Sequence, residues 1–544
     1  MGQSLKGNTN EVIEWEYISD KVYENPFREV SLSATIMNTD TREKMEIPAF
    51  WAGENVWKFR YSNPIAGEYQ FVTSCSDKGN KGLHGKKGQM TVGAYRGHNP
   101  VYAHGTLKVS DKGNFLQHLD GTPFLWLADS WWHGMTERFE FPSGFEKLAD
   151  DRKEKGFNVI QFAIGFPCDI EPFDPRGSNA AGNPWDKEFN SINPAYFDLA
   201  DERLKMILDK GFIPNMVGLW GYYMKYMGVE NVKKHWGYLI ARYGAFPLTW
   251  TLSGESTLAY YTDLGENWEF YKKQFRQQWS EIAQYIQTND PYNRLLTTHP
   301  GPGIHDGKNP INDMQYLDWV MLQSGHKGYA TIPVANRFIK EYKERFPDKP
   351  IMHGEVCFEG MAGSSLHDVQ RLLFWSNILQ GMAGYGYGVE GIWQFNVEGN
   401  PFGPSPTGNT WGNVPWTEAM HYKGSGQLGQ SAQFLRNLPW WRIVPAPERA
   451  TYHAGIENFY DPYVAEMGED LLMYFTKVGF KRNKLKVVGL DQSTLYTYTF
   501  YDPITGKIYP EKPLEVATNG DWTLPSPPIM QDWVVWIKKS PENP

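Results

Sequence analysis

Cysteine is scarce: three residues, Cys75, Cys168 and Cys357, stand far apart in 544. An odd number without Cys-x-x-Cys spacing supplies neither a disulfide framework nor a zinc site, so all three are expected as buried thiols. No run approaches the roughly 18 apolar residues of a membrane helix. Basic runs are also missing. The formal net charge is −9, and without clustered Lys and Arg to neutralise phosphates a nucleic-acid partner is not expected. His-Glu-x-x-His, Ser-His-Asp and Gly-rich phosphate motifs do not stand out, so neither a metal nor a cofactor is expected. Residues 1–10 are polar and hold no apolar signal-peptide core. That pattern suits a cytoplasmic protein, or a periplasmic or secreted one whose signal has been removed.

Aromatic residues are what the chain has in excess, 15% with 22 Trp and 31 Tyr. Rings fill cores, but their flat faces also line ligand pockets, and the surplus tilts toward a glycan ligand. The length exceeds one core and implies about three or four domains.

Up to residue 98 the pattern is short alternating strands, at 11–17, 30–36, 55–61 and 67–73. Strands at this spacing without helices predict a β-sandwich. The Gly/Lys-rich run 77–88 reads as a solvated loop. Residues 99–437 alternate strand, loop and helix. Strands are expected at 124–129, 157–164, 212–219, 247–256, 294–298, 319–323, 351–355 and 384–394. Helices are expected at 144–155, 196–210, 268–287, 332–346 and 367–381, the first two stopped by Gly156 and Gly211. Eight such units predict a (β/α)8 TIM barrel, whose active site lies at the C-terminal strand ends. A doubly wound sheet fits less well, because no Gly-rich loop follows a strand. Residues 438–544 return to alternating strands at 471–478, 495–501 and 533–537, a second β-sandwich whose aromatic alternation suits a sheet packed on the barrel.

Two of the barrel strands share one grammar. Pro247 to Ser256 and Lys349 to Gly360 each carry a short apolar run that ends in Gly-Glu, at Glu255 and Glu355. Two carboxylates at parallel strand ends are what glycoside hydrolysis requires, one to protonate the leaving oxygen and one to attack or to activate water. Polar and aromatic residues gather at the same ends. Asp129, Trp131, Trp132 and His133 follow the first strand and either bind sugar or build a buried loop core. His299, Gln323 and His326 are candidates for sugar hydroxyls or the nucleophile, with satisfied core residues as the alternative. Trp393 is a candidate floor for the reacting sugar, and Trp220 a weaker one. Glu359 and Glu390 are rival carboxylates with structural or solvated roles in view. Asp169 and Glu171, in the long loop after the second strand, could line outer subsites, and their spacing matches no calcium loop.

The stretches Gly121 to Trp132, Gly156 to Gln161, Thr249 to Glu255, His299 to Gly301 and His353 to Glu355 resemble the apiosidase-like glycoside hydrolases. These are relatives of the large clan with its acid/base on strand four and its nucleophile on strand seven. The resemblance implies a retaining glycosidase acting on a plant or microbial glycan or glycoside. It makes Glu255 the acid/base and Glu355 the nucleophile. It departs from the pattern twice. The wider clan usually has Asn before the strand-four Glu, where Gly254 stands here, and the apiosidase-like acid is often Asp. The alternatives are an inverting or transglycosylating variant and a carbohydrate-binding protein without catalysis.

Overall fold

The computed structural model describes residues 3–258, 268–301, 309–482 and 484–540. At its centre eight parallel strands share one sheet: β1 (Trp126–Ser130), β2 (Val159–Ala163), β3 (Ile213–Val217), β4 (Thr249–Thr251), β5 (Leu296–Thr297), β6 (Val320–Gln323), β7 (Ile351–Glu355) and β8 (Gly384–Tyr387). The order β5-β4-β3-β2-β1-β8-β7-β6 is that of a barrel with one seam. Side chains bridge the seam: Thr297 Oγ1 donates to the Trp319 carbonyl at 2.9 Å, and Asp318 accepts from Leu296 N at 2.7 Å. Helices α1 (Ser143–Glu154), α2 (Pro194–Asp209), α3 (Tyr223–Tyr243), α4 (Trp268–Asn289), α5 (Thr331–Arg345), α6 (His367–Leu379) and α7 (Lys423–Arg436) surround it. In α2 the buried Phe197, Ala200, Leu204, Ile207 and Leu208 recur at three and four residues, the stripe a helix lays on a sheet.

The barrel interior is partly polar. Asn215 on β3 donates to Gln161 on β2 at 3.0 Å and accepts from Thr249 and Thr251 on β4, both at 3.0 Å. Gln161 in turn donates to Ser130 Oγ at 3.1 Å and to the Gly354 carbonyl at 3.0 Å. Buried polar groups hold a structure firmly when their bonds are made, and this ladder ties β1, β2, β3, β4 and β7 just beneath their C-terminal ends.

Before the barrel, a five-stranded sheet in the order 3–8, 87–93, 67–75, 32–38, 44–48 faces a three-stranded one of 13–18, 56–61 and 50–51. Trp15, Phe59 and Phe71 fill the space between them. Segment 3–8 pairs parallel with 87–93, so the predicted loop 77–88 gives way to a strand at Lys87. After the barrel, six antiparallel strands use both faces. Leu471, Met473 and Phe475 face a two-stranded ribbon of 486–487 and 522–523, while Leu472 and Tyr474 face the barrel. There Tyr474 stacks near Trp375 of α6 at 6.2 Å, and Tyr501 stacks on Phe434 of α7 at 4.1 Å. Among the described residues no helix is long and apolar enough to cross a membrane, and no group of His, Cys, Asp and Glu has the arrangement of a metal site.

A buried charge cluster bolts the first sandwich to the barrel. Arg60 pairs with Glu14 in its own sheet and with Asp201 of α2, and it donates to the Arg242 carbonyl at 2.8 Å. Asp201 also accepts from Arg242 of α3 at 2.8 Å. Both arginines are buried, so removing a shared carboxylate leaves cationic charge without a full set of partners. Asp201→Ala is expected to cost about 3 kcal/mol, read as a lower urea midpoint. An unchanged midpoint would show that the arginines are well solvated without it.

Candidate active site

The C-terminal strand ends converge on a cavity of about 170 Å3 whose lining includes Glu255, Glu355, Gln323, His326, Trp132, Trp220 and Trp393. Each carboxylate reaches it through an irregularity in its strand. β4 stops at Thr251, and Glu255 lies beyond it in the left-handed region with φ 46°. Few non-glycine residues adopt that conformation, and where they do it often serves a site. On β7, alternation alone would turn His353 and Glu355 to the same face. Instead the register slips: Leu322 pairs with His353 while Gln323 pairs with Glu355. His353 therefore faces outward to Asn377 of α6, 2.9 Å away, and Glu355 turns inward. Gly354 fits the slip because a Cβ there would meet Met321 at 2.4 Å.

Four side chains hold Glu355. Trp132 Nε1 and His299 Nε2 lie 3.2 Å from Oε2, and Gln323 Nε2 and His326 Nε2 lie 2.5 and 3.1 Å from Oε1. His326 Nδ1 accepts the Phe358 N–H at 3.1 Å, so Nε2 carries the proton that points at Glu355. Glu255 has two partners: Trp220 Nε1 at 3.2 Å and Gln323 Nε2 at 3.1 Å. One nitrogen thus serves both acids. Its distances of 3.1 and 2.5 Å cap the separation of the two Oε1 atoms at about 5.6 Å, near the spacing of paired glycosidase carboxyls.

The surroundings drive the two acids apart. Burial and then the charge of Glu355 push Glu255 up to about 7. Burial acts upward on Glu355 too, but His299 and His326 outweigh it and hold that carboxyl well below the usual range. His299 moves the other way: burial disfavours its charge, and Glu355 beside it more than compensates, raising it. The pair is poised with one proton on Glu255 and a negative charge on Glu355.

The remaining candidates divide. Trp132, Trp220, Gln323, His326 and Trp393 line the cavity, and His299 reaches it through Glu355. Asp129, Trp131 and His133 do not. Asp129 is fully buried, accepts from Arg152 Nε at 2.6 Å and Trp131 Nε1 at 2.8 Å, and Trp131 packs between Phe139 and Phe145. Strand alternation is the reason: Ser130 and Trp132 point inward, Asp129 and Trp131 outward to α1. His133 donates to the Cys168 carbonyl at 3.0 Å and packs on Phe402. Glu359 accepts from the Tyr387 hydroxyl and Gly424 N, and Glu390 meets Val414 N; both are buried struts. Asp169 does line the cavity, whereas Glu171 is exposed. Cys168, Phe358, Met361, Thr407, Asn409 and Trp411 complete the wall and had not been singled out for it. A tryptophan in the Gly/Pro-rich run after β8, at Trp411, was the readable signal. Gly254, where the wider clan has Asn, lies under Trp220, whose ring would stand 2.3 Å from an added Cβ.

The family model described as "Apiosidase-like, catalytic domain" matches residues 110–442. A second, "Domain of unknown function (DUF5060)", matches residues 9–76. No curated protein matches the chain. Among solved structures, one named "Glycoside hydrolase" is 22% identical over 81% of this chain and 98% of its own, with a TM-score of 0.64. A glycoside hydrolase family 5 protein from Bacteroides vulgatus ATCC 8482 is 20% identical, covering 81% of this chain and 94% of its own at a TM-score of 0.63. A candidate glycoside hydrolase from the same organism is 16% identical, covering 98% and 100% at 0.67. These likenesses are of fold.

The electrostatic coupling is directly measurable. In a carboxyl NMR titration Glu255 is expected to titrate near 7 in the wild type, and Glu355→Gln to lower it by removing the adjacent negative charge. A titration of Glu255 unmoved by Glu355→Gln would mean that burial alone sets it.

Proposed function

We propose that this chain, which belongs to the apiosidase-like family and is a glycosidase, hydrolyses O-glycosidic bonds of a glycan or glycoside with retention of anomeric configuration. Glu255 is the acid/base and Glu355 the nucleophile. The observation that carries the reading is the single Gln323 amide nitrogen bonded to both acids. A retaining enzyme holds its carboxyls about 5–5.5 Å apart and an inverting one about 6.5–9.5 Å, and one nitrogen that keeps the nearer oxygens within about 5.6 Å favours the closer arrangement.

In the first step Glu355 attacks the anomeric carbon as Glu255 gives its proton to the departing oxygen. A covalent glycosyl-enzyme forms and the aglycone leaves. Esterification removes the Glu355 charge, and with it part of what keeps Glu255 protonated. Glu255, now a carboxylate, takes a proton from water as the water's oxygen attacks the same carbon, and Glu355 is released as carboxylate. His299, His326 and Trp132 stabilise the leaving carboxylate in this second step as they did the attacking one. Trp393 and Trp220 offer rings to the apolar faces of the sugar.

A panel of aryl glycosides identifies the sugar. On it, kcat/KM is expected to rise as pH climbs through the depressed Glu355 value and to fall as pH passes about 7, where Glu255 loses its proton. Glu255→Ala should lose about 10²- to 10⁴-fold on substrates with poor leaving groups and much less on activated ones. Glu355→Ala should be inactive. Azide should rescue the first with a glycosyl azide of retained configuration and the second with an inverted one. Wild-type product released with inverted configuration would overturn retention, and full activity in both variants would overturn the pair.

A further inference from the structure

The pocket wall formed by Cys168 and Asp169 belongs to a long loop, residues 164–193, between β2 and α2. The loop contains one short 3-10 turn and three non-glycine residues in the left-handed region: Asp169, Phe173 and Phe189 with φ of 58°, 64° and 51°. Such residues persist only where surroundings hold them. Near the cavity the barrel supplies that hold, through His133 to the Cys168 carbonyl and Tyr222 to the Ile170 carbonyl at 2.6 Å.

The far end is held from two sides: Trp185 Nε1 donates to His235 Nδ1 of α3 at 3.1 Å, and the first sandwich supplies the other hold. Arg28 of the first sandwich donates to the Phe189 carbonyl at 2.7 Å, to the Asn190 carbonyl at 2.5 Å and to Asn231 of α3 at 2.8 Å. Phe27 sets its edge against Trp185 at 5.3 Å. Phe189 packs on Phe173 at 5.1 Å, and both contact Phe166, two residues before Cys168. A guanidinium on two successive carbonyls fixes a turn with directional bonds, and the ring cluster passes that fix back along the loop.

We propose that the first sandwich is a working part of the pocket: Arg28 and Phe27 brace the loop after β2 and so fix the wall at Cys168–Asp169. Arg28 is a positioning residue, and the domain matched over residues 9–76 serves substrate binding by shaping the barrel's site. The kinetic arm of the test rests on the proposed glycosidase activity, and the exchange arm does not.

The test compares wild type, Arg28→Ala, Arg28→Lys and a control, Lys21→Ala, which breaks an exposed ion pair to Asp77 in the same sandwich. In Arg28→Ala, amide deuterium uptake over residues 164–173 should quicken while the barrel strands stay protected. KM for the cleaved aryl glycoside should rise roughly tenfold with kcat within about twofold, since a displaced wall weakens binding before it touches the chemistry. Arg28→Lys, which keeps one carbonyl bond, should fall between, and the control should match wild type. If Arg28→Ala fails to fold, Arg28→Lys decides the matter by the same uptake and KM readings. Unchanged uptake and KM in Arg28→Ala overturn the proposal. So does a loss of kcat and protection spread evenly over the barrel, which would make Arg28 a general stabiliser. If wild type cleaves nothing on the panel, the panel lacks its sugar, and the exchange result decides the brace by itself.

Discussion

Two carboxylates within about 5.6 Å in a buried site repel each other, and the rest of the pocket is arranged around that repulsion. It is resolved unequally. Glu355 receives four donors, two of them imidazoles, and Glu255 receives two, neither of them charged. Each bond to an ionised oxygen favours the ionised form, so the imbalance adds to burial of Glu255 and to the charge of Glu355 in keeping the proton on Glu255. Gln323 stands at the boundary. Its two N–H bonds point one to each acid, which lets it fix their spacing without choosing between their charge states.

Holding that spacing falls to the strands. The slip between β6 and β7 brings Glu355 round to Gln323, and the Gln161–Asn215–Thr249 ladder stops the strand ends from drifting beneath it. The seam between β5 and β6 lies under His299 and Gln323. There one backbone bond, from Asp318 N to the Leu296 carbonyl at 2.8 Å, is reinforced by the Thr297 and Asp318 side-chain bonds. A polar interior costs apolar burial, and here it supplies directional restraint beneath the two acids.

The barrel and the carboxylate pair were legible in the sequence because they depend on local grammar: apolar runs of strand length, helix stripes between them, and Gly-Glu where two runs end. What local grammar does not carry is the direction a side chain takes once the strand has ended. Asp129 and Trp131 stand beside Trp132 in the sequence, yet alternation sends them behind the barrel to Arg152 and the Phe139–Phe145 cluster. Strict alternation would in turn have misplaced Glu355 relative to His353, because the register slip is set by pairing with a different strand. Trp411 and Asp169 line the pocket from loops, whose path the local pattern of apolar runs does not describe. In the same way, Gly254 reads as a missing hydrogen-bond donor in the sequence, whereas in the fold it is the space that Trp220 occupies.

The sheet that follows the barrel carries an implication for assembly. Strand Trp533–Lys539 pairs with both 470–475 and 496–501, so the segment synthesised after those two lies between them. Until it arrives, the neighbours have no common partner, and the aromatic faces of α6 and α7 that meet Tyr474 and Tyr501 remain bare. Long-range pairing of this kind is slow, and exposed aromatic surface invites association between chains in the interval.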